Sequence, residues 1–232
     1  MSETFISERR ELARVSTMVN DFFHVERSFP SQVFKHPSRR TYFTRYGLSI
    51  SSEFWPALSS LAELHGDAAV YVSEVSHCLG DSFRAADCYP AFKLDVRSGP
   101  DDYRRMMQSD RVAGSEGIGF FQFLSTKIAI TATSGLWGCF GERGAGILAV
   151  IAPDTHEMWD WSRKHGLYSA YSALEELAFA YRSDLIPDDH ILEFIHNYRG
   201  GACAQDLERL ASSMWHMRAE LRSEPGEDFS ND

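Results

Sequence analysis

The segment 117–153 constrains the fold more than any other part of this 232-residue chain. It reads GIGFFQFLSTKIAITATSGLWGCFGERGAGILAVIAP, in which short apolar or alternating runs are separated by Ser-Thr, Ser-Gly and Gly-Glu-Arg-Gly. Runs of this length between turn-forming residues predict three or four antiparallel strands that follow one another as a meander. Because the runs are almost wholly apolar, we expect the meander to lie at the centre of the core.

Helices and a strand are predicted before this segment. Apolar residues recur at helical spacing over about 8–25, which predicts an amphipathic helix. The basic, proline-containing segment 27–48 indicates an irregular connector. A second helix is predicted at about 52–65, with Pro56 in its first turn where a missing N–H costs little, and a strand follows at 68–75. The apolar stripe of the first helix consists of Leu12, Val15, Met18, Val19, Phe22 and Phe23.

A loop is predicted at 76–88 and a strand at 89–96. Residues 98–102 read Ser-Gly-Pro-Asp-Asp, which is a strong helix start because proline and acidic residues suit the first turn. After the meander, Asp154 with Glu157 three residues later predicts a capping box and a helix that ends near residue 166.

The C-terminal third is predicted to be helical. The expected fold class is α+β: a mainly antiparallel sheet of about five or six strands flanked by helices, with a helical C-terminal third packed on it. Further helices are expected at 168–182, 188–199 and 204–222. The predicted parts are an α+β core with the meander at 1–153, a helical part at 154–222 and an acidic disordered tail at 223–232.

Negative charge is concentrated in that third. The chain has a net charge of −10; residues 1–153 hold 17 acidic and 16 basic side chains, whereas residues 154–232 hold 16 and 7. This split disfavours direct binding to a nucleic-acid backbone, which needs a basic face. It favours a basic protein partner, because opposite potentials steer association. A solvated acidic face that aids solubility is the alternative.

Membrane, secretory and metal-binding classes are not favoured. No run approaches the about 18 apolar residues of a membrane span, and the N-terminal sequence MSETFISERRELARV is charged where a secretory peptide is apolar. The four cysteines, at 78, 88, 139 and 203, lack the paired spacing of zinc sites and predict reduced thiols, with Cys139 packed in the meander. We expect a cytoplasmic protein without a metal or cofactor.

Motifs that suggest catalysis have structural explanations. The glycine runs 114–119 and 141–146 lead into strand-like segments rather than helices, so turns are favoured over phosphate loops. Ser115 lacks the strand-turn-helix context of a nucleophile elbow. Glu193 and His196 form a single copy of a motif that di-iron bundles use twice.

Two segments are candidates for contact with a partner. The sequence Trp159-Asp160-Trp161 places aromatic residues beside charges, and such residues often anchor interfaces; a helix with one buried and one partly exposed tryptophan is the alternative. The acidic stretch 184–193 holds four carboxylates and no lysine or arginine, which suits a cationic partner. Its acidic residues are Asp184, Asp188, Asp189 and Glu193.

The turn from Trp137 to Arg143, followed by the apolar run 147–152, resembles immunity proteins of bacterial polymorphic toxin systems. In that group a tryptophan-bearing strand often leads into a Gly-acid-Arg turn and an apolar strand, and the matching positions here are Trp137, Glu142 and Arg143. The resemblance implies an inhibitor whose acidic surface occludes a basic toxin. A structural pair between Glu142 and Arg143 that holds the turn is equally consistent with these residues.

We therefore predict a non-enzymatic binding protein, an immunity-type inhibitor that neutralises a cognate basic toxin by occlusion. A small hydrolase-like enzyme with dispersed catalytic residues, such as Glu116, Glu142 or a histidine, is the alternative. A homodimer through the acidic helices also remains open. The candidate contact residues are Asp184, Asp188, Asp189, Glu193, Trp159, Trp161, Trp137, Glu142 and Arg143.

Overall fold

The computed structural model contains one antiparallel sheet of seven strands in the order β1-β4-β3-β5-β6-β7-β2. Six strands have five or six residues and β1 has two, so the predicted α+β class and strand number are confirmed. The structure describes residues 4–36, 39–76, 89–112, 119–170, 173 and 188–198. The strands are β1 Thr4–Phe5, β2 Arg40–Arg45, β3 Ala69–Glu74, β4 Ala91–Asp95, β5 Lys127–Ala132, β6 Gly138–Glu142 and β7 Ile147–Ala152.

The predicted helices are confirmed where they are described, and one further short helix at Tyr46–Ser49 begins inside the predicted connector 27–48. A 3₁₀ turn at Ser52–Phe54 precedes the helix Trp55–Leu64, and a single π-helical turn covers Phe120–Leu124. The predicted loop 76–88, most of the predicted helix 168–182, and the predicted elements beyond 198 lie outside the described residues. The helices are α1 Arg9–Phe22, α2 Tyr46–Ser49, α3 Trp55–Leu64, α4 Pro100–Met107, α5 His156–Lys164 and α6 Asp188–Tyr198.

The sheet is covered by helices on both faces. Successive strand residues point to opposite faces, so in β3 Val70 and Val72 join one apolar cluster and Tyr71 joins the other. We call these the front and the back face. Side chains of α3, α4 and α5 pack on the front face, and side chains of α1 and α6 pack on the back face.

The predicted meander is confirmed as strands β5, β6 and β7. Ile130, Cys139 and Val150 stand side by side in its antiparallel register, and all three are fully buried. Residues 120–124 form the π-helical turn rather than a fourth strand. Arg143 explains part of the difference between the predicted strand and the observed turn. Its guanidinium donates hydrogen bonds to the carbonyl oxygens of Phe121 and Gln122, which a neighbouring strand would otherwise use.

The predicted irregular connector 27–48 is wrong at 40–45. This segment is the edge strand β2, which pairs with β7 from Arg40 opposite Ala152 to Arg45 opposite Ile147. Arginines at both ends obscure its alternation in the sequence, yet Tyr42 faces the front cluster and Phe43 the back cluster. Charged ends of this kind are common on edge strands, where they discourage pairing with other chains.

The predicted capping box at Asp154 is also wrong by one residue. The N-cap of α5 is Thr155, whose hydroxyl accepts a hydrogen bond from the Met158 amide at 3.3 Å. Asp154 instead accepts a hydrogen bond from the indole N–H of Trp159 at 2.8 Å. The acidic residue next to the cap is therefore used to hold a surface side chain.

Gly138 is required where α1 meets the meander. A Cβ atom at this position would lie 2.8 Å from Cζ of Phe23 and 3.3 Å from the Ile130 carbonyl oxygen. We expect Gly138→Ala to lower the free energy of unfolding by about 1–3 kcal/mol, because the buried ring has no room to move. Gly144→Ala is the control, since no atom lies within 4 Å of its Cβ position. Urea denaturation checks both variants, and equal stability of the two would contradict this packing.

Candidate functional site

Helix α6 is anchored to the loop before β2 by side-chain hydrogen bonds. The Tyr198 hydroxyl donates to the Ser31 carbonyl at 2.5 Å and accepts from the Val33 amide at 3.0 Å. The Asn197 amide donates to the Pro30 carbonyl at 2.9 Å. These bonds fix the last turn of α6 in both position and rotation.

Aromatic packing holds the inner face of the same helix. The Phe194 ring lies 5.1 Å from the Phe43 ring and 6.4 Å from the Phe29 ring, measured between centroids. Tyr198 packs on the same two rings, at 5.5 and 5.7 Å. Because these side chains belong to the back-face core, the opposite face of α6 is presented to solvent in one defined orientation.

Four exposed residues form an outer stripe on α6. Asp189, Leu192, Glu193 and His196 are all exposed, and their spacing of three, four and seven residues places them along one helical face. Leu192 is 46% exposed and lies one turn after Asp189 along this face. Helix α6 contains no lysine or arginine. The outer stripe is therefore acidic, with one exposed apolar side chain.

Two of the predicted acidic candidates are not part of the outer stripe. Asp188 is the first residue of α6, and Asp184 lies outside the described residues. Glu193 also accepts a hydrogen bond from the Ser31 hydroxyl at 2.7 Å. One oxygen of this exposed carboxylate is therefore already directed by the loop.

The tryptophan candidates of α5 lie on the opposite side of the sheet. Trp161 is buried, and its indole N–H lies 3.0 Å from the Ser60 hydroxyl and 3.2 Å from the Ala57 carbonyl oxygen. Trp159 is 46% exposed. Helix α5 thus has one buried and one partly exposed tryptophan, and the structure does not bring either together with the outer stripe of α6.

Trp137 has a structural role at the end of the meander. It is fully buried, and its indole N–H donates to the carboxylate of Asp67 at 3.0 Å. Asp67 also accepts from the Ser134 amide at 2.6 Å, the Ser134 hydroxyl at 2.8 Å and the Thr133 hydroxyl at 3.0 Å. This buried carboxylate therefore fixes the β5–β6 turn. Sequence reasoning missed this role, because an aspartate that follows a helix-ending glycine is interpreted only as part of the end of the helix.

Glu142 and Arg143 are directed to different partners rather than to each other. Glu142 accepts a hydrogen bond from the Phe29 amide at 2.9 Å. Arg143 donates to the carbonyl oxygens of Ser125 and Gln122, both at 2.8 Å. Each residue therefore joins the turn to a separate segment of the fold.

The most strongly raised pKa values among the described residues belong to buried side chains. Burial raises the pKa of Tyr103 and of Cys139, so both side chains stay neutral inside the front-face core. Glu116, a residue of the enzyme alternative, lies outside the described residues. Within the described ranges, no group of three or more His, Cys, Asp or Glu side chains is arranged to hold a metal ion.

Two histidines are held in the neutral form. Burial, and then the nearby charge of Lys164, lowers the pKa of His165, whose Nε2 atom lies 3.0 Å from the Ser60 hydroxyl. Burial also lowers the pKa of His65, although the Asp67 carboxylate opposes this. His65 is the C-cap of α3 and His165 is the C-cap of α5, both on the front face.

In the part of the chain that the structure describes, no helix has both the length and the apolar character needed to cross a bilayer. Comparison with protein-family models, curated proteins and solved structures finds no match for this chain. The geometry of its own residues is therefore the basis for any functional inference.

Asp67 should be essential for the stability of the meander. In Asp67→Ala the buried Trp137 indole and Ser134 amide lose their acceptor, so we expect the free energy of unfolding to fall by about 2–4 kcal/mol. Asp21→Ala removes an exposed carboxylate from α1 and should change it by less than about 0.5 kcal/mol. Urea denaturation followed by far-ultraviolet circular dichroism measures both. A loss no larger than that of Asp21→Ala would refute the role of Asp67.

The lowered pKa values of His65 and His165 predict a stability that depends on pH. In the unfolded chain these histidines bind protons near pH 6.5, more readily than in the folded protein. Above that pH they are neutral in both states and do not oppose folding. As the pH falls below about 6.5, the unfolded state binds more protons and the free energy of unfolding decreases. Replacing both residues by glutamine should flatten this decrease between pH 7.5 and about 5.5. Urea titrations across that range give the two slopes, which would be equal if these histidines were not buried.

Proposed function

We propose that this chain is a non-enzymatic binding protein: an immunity-type inhibitor that occludes a cognate basic toxin in the cytoplasm. The observation that supports this most directly is the outer stripe of α6. It presents Asp189 and Glu193 together with the exposed Leu192, on a helix whose opposite face packs into the core.

A rigid acidic stripe suits a basic protein partner for two physical reasons. Binding does not have to order α6, because the Tyr198 and Asn197 hydrogen bonds already hold it, and pre-organisation lowers the entropic cost of association. Residues 154–232 also contain nearly all of the net charge of −10, so a cationic partner is attracted over a distance of about 8–10 Å at ordinary salt.

Leu192 gives the stripe an apolar side chain that a partner can bury. Burial of a leucine side chain contributes about 1.5–3 kcal/mol when it is complete. Central apolar contacts surrounded by polar groups that exclude water are a common arrangement in protein interfaces. The stripe therefore combines attraction at long range with a short-range contact.

The resemblance at Trp137–Arg143 agrees with this proposal but does not locate the contact. Trp137 and Arg143 bond within the fold, and Glu142, which was also a catalytic candidate, accepts a backbone hydrogen bond from Phe29. We therefore assign the meander a supporting role, in which it carries α6 on its back face.

The product of a neighbouring gene with a basic surface is the partner to test. The double variant Asp189→Lys/Glu193→Lys should weaken that complex by about 10- to 100-fold, equivalent to about 1.4–2.8 kcal/mol, and should reduce its sensitivity to salt. Isothermal titration calorimetry at two salt concentrations measures both effects.

The matched control is Glu53→Lys/Glu63→Lys. It makes the same change in net charge at exposed residues of the front-face helical layer. Equal weakening by the two double variants would contradict α6 as the contact surface. If no adjacent gene product formed a stable complex with the wild-type protein, the inhibitor proposal itself would fail.

A further inference from the structure

Trp159 is held on the surface of α5 by two neighbours. The guanidinium carbon of Arg40 lies 3.7 Å from the centroid of its ring. Asp154 accepts the indole N–H bond at 2.8 Å and lies 3.5 Å from the Arg40 guanidinium. These three side chains support one another, so the exposed part of the ring is pre-organised.

The surface formed by α5 with Asp154 and Arg40 is balanced in charge, unlike the chain as a whole. We call it the α5 surface. It holds three acidic and three basic residues in a chain whose net charge is −10, and most of their side chains are exposed. Two copies of this acidic chain can therefore meet here without placing an excess of like charges in contact. Its charged residues are Asp154, Glu157, Asp160, Arg40, Arg163 and Lys164.

Charged side chains of the α5 surface that pair within one protomer can also pair with a second molecule. Asp160 pairs with Arg163 at 2.5 Å and with His156 at 3.5 Å within the protomer. Side chains of Arg163 and Asp160 are 75% and 53% exposed, so they can reach a neighbouring molecule. A surface that carries both signs beside one flat apolar group is complementary to itself.

We infer that a second copy of this chain docks on the α5 surface, in a two-fold dimer centred on Trp159. In such an arrangement the same patch is used twice, so Asp160 of one protomer faces Arg163 of the other and the reverse. Each indole covers the exposed part of the other. Tryptophan and arginine are the residues most often found at the energetic centre of interfaces.

The outer stripe of α6 cannot serve the same purpose. It carries Asp189 and Glu193 without a lysine or arginine in its helix, so a second stripe would repel it. Because α5 and α6 cover opposite faces of the sheet, the dimer leaves both outer stripes exposed. The dimer is therefore independent of the proposed inhibitor function and can be tested alone.

Sedimentation velocity over a range of protein concentrations tests this dimer. We expect a dimer that dissociates on dilution in the wild type and a monomer at the same concentrations in Trp159→Ser. Phe123→Ser is the control, because it removes a ring that is 60% exposed from the π-helical turn and should leave the dimer intact.

A charge exchange gives a second test that does not alter the tryptophan. Asp160→Arg and Arg163→Asp should each shift the equilibrium towards monomer, because each places like charges opposite one another. The double exchange should restore the dimer. Both residues are exposed, so folding should be unaffected, which circular dichroism verifies.

Three results would overturn the inference. The first is a wild-type protein that stays monomeric at every concentration. The second is a dimer that survives Trp159→Ser, which would place the contact elsewhere on the chain. The third is a double exchange that remains monomeric while both single variants dissociate.

Discussion

The burial of the meander on both faces is the constraint on which the rest of the structure depends. Every residue of β7 is buried, and β5 is buried except for its first residue. An antiparallel sheet often leaves one face in water, but these strands are apolar on both sides. Helices must therefore cover both faces, and the chain places α3, α4 and α5 on one and α1 and α6 on the other.

This constraint divides the surface of the protein into two different environments. Helix α5 reaches solvent on the front with acidic and basic groups in equal number around Trp159. Helix α6 reaches solvent on the back with acidic groups and Leu192. The two helices lie in the same acidic third of the sequence, yet the sheet between them separates their chemistry. A partner that binds one of these surfaces need not contact the other.

Several polar residues, some of them candidates in the sequence and one that the sequence did not single out, hold this layered arrangement together. Asp67 fixes the β5–β6 turn and the Trp137 indole through four hydrogen bonds. Glu142 and Arg143 join the β6–β7 turn to the segments at Phe29 and Ser125. Polar groups at the ends of a buried sheet need partners in the fold, because an unpaired buried group is costly. A Gly-acid-Arg turn can therefore arise from packing alone.

The sequence by itself determined the local elements: the amphipathic period of α1, the proline and acids that open α4, and the three strands of the meander. These features are encoded within a few residues, through hydrophobic period, turn residues and caps. It also determined that the excess negative charge lies after residue 153.

Only the tertiary structure decided that 40–45 is an edge strand, because its pairing with β7 joins residues more than 100 positions apart. It likewise decided that Trp161 is buried while Trp159 is exposed. Which side of the sheet each helix covers depends on contacts between distant segments, and no local pattern contains that information. For this reason the sequence could name the aromatic and the acidic segments as candidates, whereas only the fold shows that they lie on opposite faces of the sheet.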